Sequence, residues 1–205
     1  LELPPEMAMP AVLALVGPKF RRLFDPFFVH GSLGVAIDGA AKACSHDFDA
    51  FVSDSSYCWK KKSELPFPGC VYDALVTRVP KSLADRFLTW AFSNVSHFCV
   101  ALPSGHRLLN LHKDRLQFIH VTVPGVLLRA GVAPVGAKPV HFTWCCYNLR
   151  LPENDLHWFA GSCLQGADGK QYSVHDLACR WASREERDDP PTGVCNARCT
   201  STVLW

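Results

Sequence analysis

Asp47 and Asp49 are the first residues in this sequence whose type and spacing suit chemistry. They stand two apart at the start of an apolar run through Phe48, Ala50, Phe51 and Val52. A strand alternates its faces with a period of two, so both carboxylates point the same way. Two such neighbours repel each other, and a hard divalent cation relieves the repulsion. Upstream, Gly31-Ser32 is a turn signal between Phe27-Phe28-Val29 and an Ala-rich stretch. Downstream, Lys60-Lys61-Lys62 lies in a loop-like stretch. A solvated loop is the plain reading of that run, and contact with phosphates as point charges, led by Lys60, is the functional one.

Two further sets stand out. His120-Val121-Thr122 and His141-Phe142-Thr143 both read His-x-Thr on strand-like segments. Paired His-x-Thr motifs are the signature of two-histidine phosphoesterases, in which one imidazole acts as base and the other as acid. There the motifs come from lobes far apart in sequence, whereas here they are close neighbours. Sheet histidines with satisfied imidazoles are the competing reading. His175, Cys179, Cys195 and Cys199 have His-x3-Cys and Cys-x3-Cys spacing, which a tetrahedral zinc accepts. Free thiols, or a Cys195–Cys199 disulfide, compete with zinc. No nucleophile-elbow pattern appears.

The elements that must position these residues follow from apolar periodicity and turn residues. Met9 to Phe24 reads as a helix, interrupted at Gly17-Pro18 and stopped by Asp25-Pro26. Phe27 to Val29 reads as a buried strand, Leu33 to Ala43 as a close-packing helix, and Phe48 to Val52 as a second strand. After a loop from Ser53 to Gly69, Cys70 to Val79 returns to strand character. Ser82 is placed to cap a helix over Leu83 to Phe92. Phe98 to Leu102, Arg107 to Leu111 and Leu116 to Val123 read as three consecutive antiparallel strands. A short helix over Val126 to Ala130, a strand over Val140 to Leu149 and a helix over Gln171 to Ala182 complete the list, with His157 to Cys163 ambiguous. The sum is an α+β fold: a mixed or antiparallel central sheet with helices packed on it. Residues 1–182 form the domain and 183–205 a charged, Pro-containing tail.

The turn His30-Gly31-Ser32, the following helix and Asp47-Phe48-Asp49 resemble the core of the nucleotidyltransferase superfamily, the polymerase-β-like fold. The layout is similar to small stand-alone members of phage and viral type. Leu116-Gln117-Phe118-Ile119 and Val140-His141-Phe142-Thr143-Trp144-Cys145-Cys146 stand where that family has its later strands. The resemblance implies metal-dependent nucleotidyl transfer from an NTP to an acceptor, a nucleic acid or a protein. Gly31 would let the backbone approach the triphosphate and Ser32 would bond a phosphate oxygen. Asp47 and Asp49 would be the catalytic pair, holding Mg²⁺, or Mn²⁺ in its place. The sequence departs from the family where a third carboxylate belongs: Leu116 to Val123 offers Gln117 and His120 but no acid, and Asp73 and Asp114 fit the place poorly. His30 also replaces a small residue. A catalytically degraded binding or interaction module on the same fold is therefore the alternative, and a two-histidine phosphoesterase-like hydrolase a further one.

Bulk properties narrow the class. A chain of 205 residues with 48% hydrophobic residues has material for one core. A formal net charge of +2 is no polyanion-binding signature. No apolar run reaches the ~18 residues of a membrane span, so no membrane partner is expected. Of the ten cysteines, Cys44, Cys99, Cys145 and Cys146 sit inside apolar runs, as small buried hydrophobes do. That favours a reducing, cytoplasmic compartment. Leu1 in place of an initiator Met is read as a processed or trimmed start, which leaves N-terminal signals open.

Overall fold

The computed structural model describes residues 5–15, 20–27, 32–43, 50–53, 72–123, 140–159, 164–173 and 176. Within them, α1 (Pro5–Leu15), β1 (Arg22–Asp25), α2 (Ser32–Ala43), β2 (Ala50–Ser53) and β3 (Ala74–Arg78) come first. A 3-10 turn (Lys81–Leu83) leads into α3 (Ala84–Asn94), followed by β4 (Phe98–Pro103), α4 (Arg107–Leu111) and β5 (Gln117–Val123). β6 (Val140–Tyr147), β7 (Asp155–Phe159), β8 (Leu164–Gly166) and β9 (Gln171–Tyr172) end the series.

The strands form one nine-stranded mixed sheet in the order β2-β1-β3-β4-β6-β5-β7-β8-β9. β2, β1, β3 and β4 are mutually parallel. β6 is antiparallel to both β4 and β5, which it separates, and β7 runs parallel to β5. β8 and β9 add antiparallel pairs at the far edge. Alternation along the strands sorts the core onto two faces. On β4, Cys99 and Ala101 join α1 and α2 on one face, while Phe98, Val100 and Leu102 join α3 and α4 on the other. The mixed sheet with helices packed on it is thus as the sequence implied.

Several elements differ from the sequence reading. The helix expected through Phe24 ends at Leu15, and Arg22-Leu23-Phe24-Asp25 is β1. Leu23 and Phe24 are both fully buried, but on opposite faces of the sheet, a pattern that suits a central strand. Phe27, the first residue of a strand expected to run to Val29, lies in a turn after β1, where the Asp25 carboxylate accepts its N–H (2.9 Å); Phe28 and Val29 lie outside the described residues. Arg107–Leu111 is helical, so the three-strand meander does not form. Gly105 takes φ 77° in the turn after β4, and His106 Nδ1 then accepts the Leu108 N–H (3.4 Å), closing the first turn of α4. Ser82 lies in the 3-10 turn and does not cap α3, which is preceded by Leu83 with no side-chain cap. Gln171 and Tyr172 pair with β8 as a strand where a helix was expected. The helix expected over Val126 to Ala130 and the tail from 183 lie outside the described residues.

Candidate functional site

From β1 the chain passes through α2 to β2 on one side, and from β3 through α3 to β4 on the other. The two helices lie on opposite faces of the sheet. β1 and β3 are neighbours, so their carboxyl ends border the place where the winding reverses. In open parallel sheets such a reversal leaves a crevice at the strand ends, and ligands bind there.

Asp25 is the last residue of β1, and Thr77 is the penultimate residue of β3. Thr77 Oγ1 donates to Asp25 Oδ1 at 2.5 Å, and the same oxygen accepts the Phe27 N–H. Asp25 is 3% exposed. Burial pushes its carboxyl up to about 6, against the pull of its hydrogen bonds from Thr77 and Phe27. Among the described residues, Oδ2 receives no hydrogen bond. Phe27, next in the turn, packs edge-on to Phe87 of α3 at 5.2 Å. α2 starts at Ser32 after the turn that follows β1, so its amino end, with the positive pole of its dipole, belongs to the same edge of the sheet.

The residues weighed as a third acid have other work. Asp73 lies at the opposite, amino edge, where Oδ2 accepts the N–H groups of Arg21 (2.5 Å) and Arg22 (2.7 Å) and fixes the entry to β1. Asp114 is exposed in the turn after α4. The Gln117 amide is taken up by the backbone of Leu151 and Glu153, tying β5 to the segment before β7.

Of the residues singled out in the sequence, Gly31, Asp47, Asp49, Lys60, His175, Cys179, Cys195 and Cys199 lie outside the described residues. Ser32 is described as the first residue of α2. β2 starts at Ala50, paired with Arg22 at the amino edge of the sheet, opposite the edge from which α2 departs. Among the described residues, no group of three His, Cys, Asp or Glu side chains is arranged to hold a metal ion.

The two His-x-Thr motifs are brought together. β5 and β6 pair so that His120 faces Thr143 and Thr122 faces His141. His120 Nδ1 lies 3.1 Å from Thr143 Oγ1, and His141 Nδ1 lies 3.1 Å from Thr122 Oγ1. His120 Nε2 meets Asp155 Oδ1 of β7 at 3.2 Å, and the His120 and His157 rings are 5.2 Å apart. Thr143 is fully buried, and its hydroxyl is 3.4 Å from Ser104 Oγ.

Asp25 and Thr77 were missed in the sequence because Asp25-Pro26 reads equally well as a helix stop. The usable signal was an acid closing a short apolar run, followed by a turn and a small-residue helix.

No protein-family model matches the chain, and no curated protein matches it. Among solved structures, the M protein of the type I restriction enzyme EcoKI aligns over 85% of this chain and 51% of that one. The TM-score is 0.36 and the identity 10%. The chain spans about half the length of that structure, and a likeness of this size adds nothing to the strand order already described.

Proposed function

We propose that this chain binds a nucleoside-bearing small molecule in the crevice at the carboxyl ends of β1 and β3. The observation that carries the reading is Asp25: a buried carboxyl at the winding reversal, with one oxygen held by Thr77 and Phe27 and the other, among the described residues, without a hydrogen bond. A buried carboxyl at the carboxyl end of a strand beside the winding reversal can accept hydrogen bonds from the hydroxyls of a bound ribose. The amino end of α2 supplies partial positive charge for an attached phosphate.

The four nucleosides and their Mg²⁺-triphosphates, added singly to the full chain, are the probes. At least one raises the thermal midpoint, as ligand binding to the folded state must. The same compound shifts Asp25→Ala at least tenfold less in affinity. If none of the eight moves the midpoint, or if Asp25→Ala binds as well as the parent, the reading fails.

Nucleotidyl transfer from an NTP is a separate reading, which rests on the sequence pattern of Asp47 and Asp49 as Mg²⁺ ligands and not on the crevice. Its test is label transfer from an α-labelled NTP, abolished by Asp47→Asn or Asp49→Asn. Binding without transfer makes the chain a binding module.

A further inference from the structure

Away from the crevice, a hydrogen-bonded row of side chains crosses four neighbouring strands. β4, β6, β5 and β7 lie side by side in that order. Val121 and Phe142 belong to the face covered by α1 and α2, so by alternation His120 and Thr143 share the other face. Val100 and Leu102 of β4 lie on that face too. Ser104 follows directly after β4, and its N–H reaches the His141 carbonyl at 3.4 Å, one step further along the β4–β6 pairing. On the other side, Phe118 of β5 shares the face and pairs with Asp155 of β7. Three contacts join the row: Asp155 Oδ1 to His120 Nε2 at 3.2 Å, His120 Nδ1 to Thr143 Oγ1 at 3.1 Å, and Thr143 Oγ1 to Ser104 Oγ at 3.4 Å.

The direction of the protons follows from one end. An ionised carboxylate only accepts, so His120 Nε2 carries the proton that meets Asp155. In a neutral imidazole Nδ1 is then the acceptor, and the Thr143 hydroxyl donates to it. The Thr143 oxygen is left to accept from the Ser104 hydroxyl. Every member is satisfied in this order. Thr143 is fully buried between its partners, whereas Ser104, at the open end, is exposed. An imidazole held in one tautomer by a carboxylate is a general base, and a hydroxyl bonded to such a base is an activated nucleophile. Here a second hydroxyl stands between the two.

The surroundings of Ser104 suit that role. It stands in the turn from β4 to α4, ahead of Gly105 at φ 77°. Among the described residues, the Gly105 N–H makes no hydrogen bond. An N–H just after the nucleophile is a common donor to the oxyanion of acyl transfer. There is also room: among the described residues, a Cβ at Gly105 would have nothing within 4 Å.

We propose that Ser104 is an acyl-accepting nucleophile, activated by His120 through Thr143, and that the chain hydrolyses carboxylic esters there. Ser104 Oγ bonds to the acyl carbon as the ester C–O bond breaks. The Ser104 proton passes to Thr143 while the Thr143 proton passes to His120 Nδ1, and Asp155 faces the imidazolium that forms. The leaving alkoxide takes a proton from water, and the half-buried His120 returns one to water. A water molecule then attacks the acyl-serine, releasing the carboxylic acid and restoring the hydroxyl. Ser104 is the catalytic residue, and Thr143, His120 and Asp155 are positioning residues behind it.

The test gives the full chain p-nitrophenyl acetate. Nitrophenolate is released faster than in buffer alone, and a quenched sample carries an acetyl group on Ser104 by peptide mass spectrometry. Ser104→Ala, at an exposed position, slows the release at least tenfold. His120→Asn and the near-isosteric Thr143→Val each slow acetylation at least tenfold, as loss of general-base help does. Thr143→Ser keeps the relaying hydroxyl and stays within about threefold of the parent. Loss in the valine variant with rescue in the serine variant separates a relay from packing. No acetyl on Ser104, an acetyl on the exposed His141 or on a lysine in its place, or acetylation at the parent rate in folded His120→Asn or Thr143→Val overturns the proposal.

Discussion

The parallel half of the sheet, β2-β1-β3-β4, and the antiparallel half, β6-β5-β7-β8-β9, each place an acid beside a hydrogen-bond donor. The surroundings are opposite. Asp25 meets Thr77 at strand ends and is 3% exposed. Asp155 meets His120 on the face of the sheet, with the two side chains 59% and 34% exposed. The cause lies in the connections. Parallel strands need crossovers, and α2 and α3 cover both faces, so the strand middles are apolar throughout: Leu23, Phe24, Ala74, Leu75 and Val76 are all buried. Polar chemistry in that half is confined to the ends. In the antiparallel half, one face lies open past Phe118 and Cys145, and polar residues occupy every second position of β5 and β6. One half offers a recess and the other a surface.

The sharpest way to break this comparison is to ask whether the halves are separable. Trp144 sits on β6 between them, paired with Ala101 of β4 and Ile119 of β5, and it is fully buried against Phe142. Trp144→Ala should cost about 3–5 kcal/mol, the usual loss for a large buried aromatic. Urea unfolding of the parent should be a single transition, with circular dichroism and fluorescence coinciding. A biphasic curve, or a loss under about 1 kcal/mol, would mean that the halves fold as separate units.

The recess predicts a pH dependence with a definite sign. Asp25 titrates at about 6 in the folded chain against an ordinary 3.8. Between these values the native state holds a proton that the unfolded state has lost, so stability falls as pH rises. Its contribution is complete below about 3.8 and gone above about 6, with a loss of about 3 kcal/mol across that window. Asp25→Asn should flatten the stability profile between pH 4 and 7. An unchanged slope would show that the carboxyl is not enclosed as described. Thr77→Val tests the same pair more gently. It removes a hydrogen bond that lowers the Asp25 value, so the descending limb should move to higher pH, with a loss of about 1–2 kcal/mol.

How much of this was legible in the sequence differs between the halves for the same reason. The open face shows itself directly: His120, Thr122, His141 and Thr143 alternate with Val121 and Phe142, and period-two alternation gives both the strands and the motifs. The recess does not, because Leu23-Phe24-Asp25 is too short a run to tell strand from helix, and Asp25 becomes a site only when β3 brings Thr77 beside it from 52 positions away. The Arg107–Leu111 helix was hidden by apolar residues that fit either period. Its cap is a histidine, which standard capping signals leave out. The Ala-rich helix was read correctly, as α2 from Ser32 to Ala43, while Gly31 of the expected turn and Asp47 and Asp49, on which the nucleotidyl-transfer reading turned, lie outside the described residues.

The smallest expected effect belongs to the surface, and it completes the comparison. The His120–Asp155 pair is solvent-facing, and such pairs contribute roughly 0.2–1 kcal/mol. Asp155→Ala should therefore leave unfolding almost unchanged. His120→Asn should do little more, since Thr143 keeps its hydroxyl beside Ser104. A double-mutant cycle on the two gives the coupling directly, and added salt should reduce it further. A coupling near that of the Asp25–Thr77 pair would mean the antiparallel face is covered by something that excludes water. A small, salt-sensitive one fits a solvent-facing pair on an open surface.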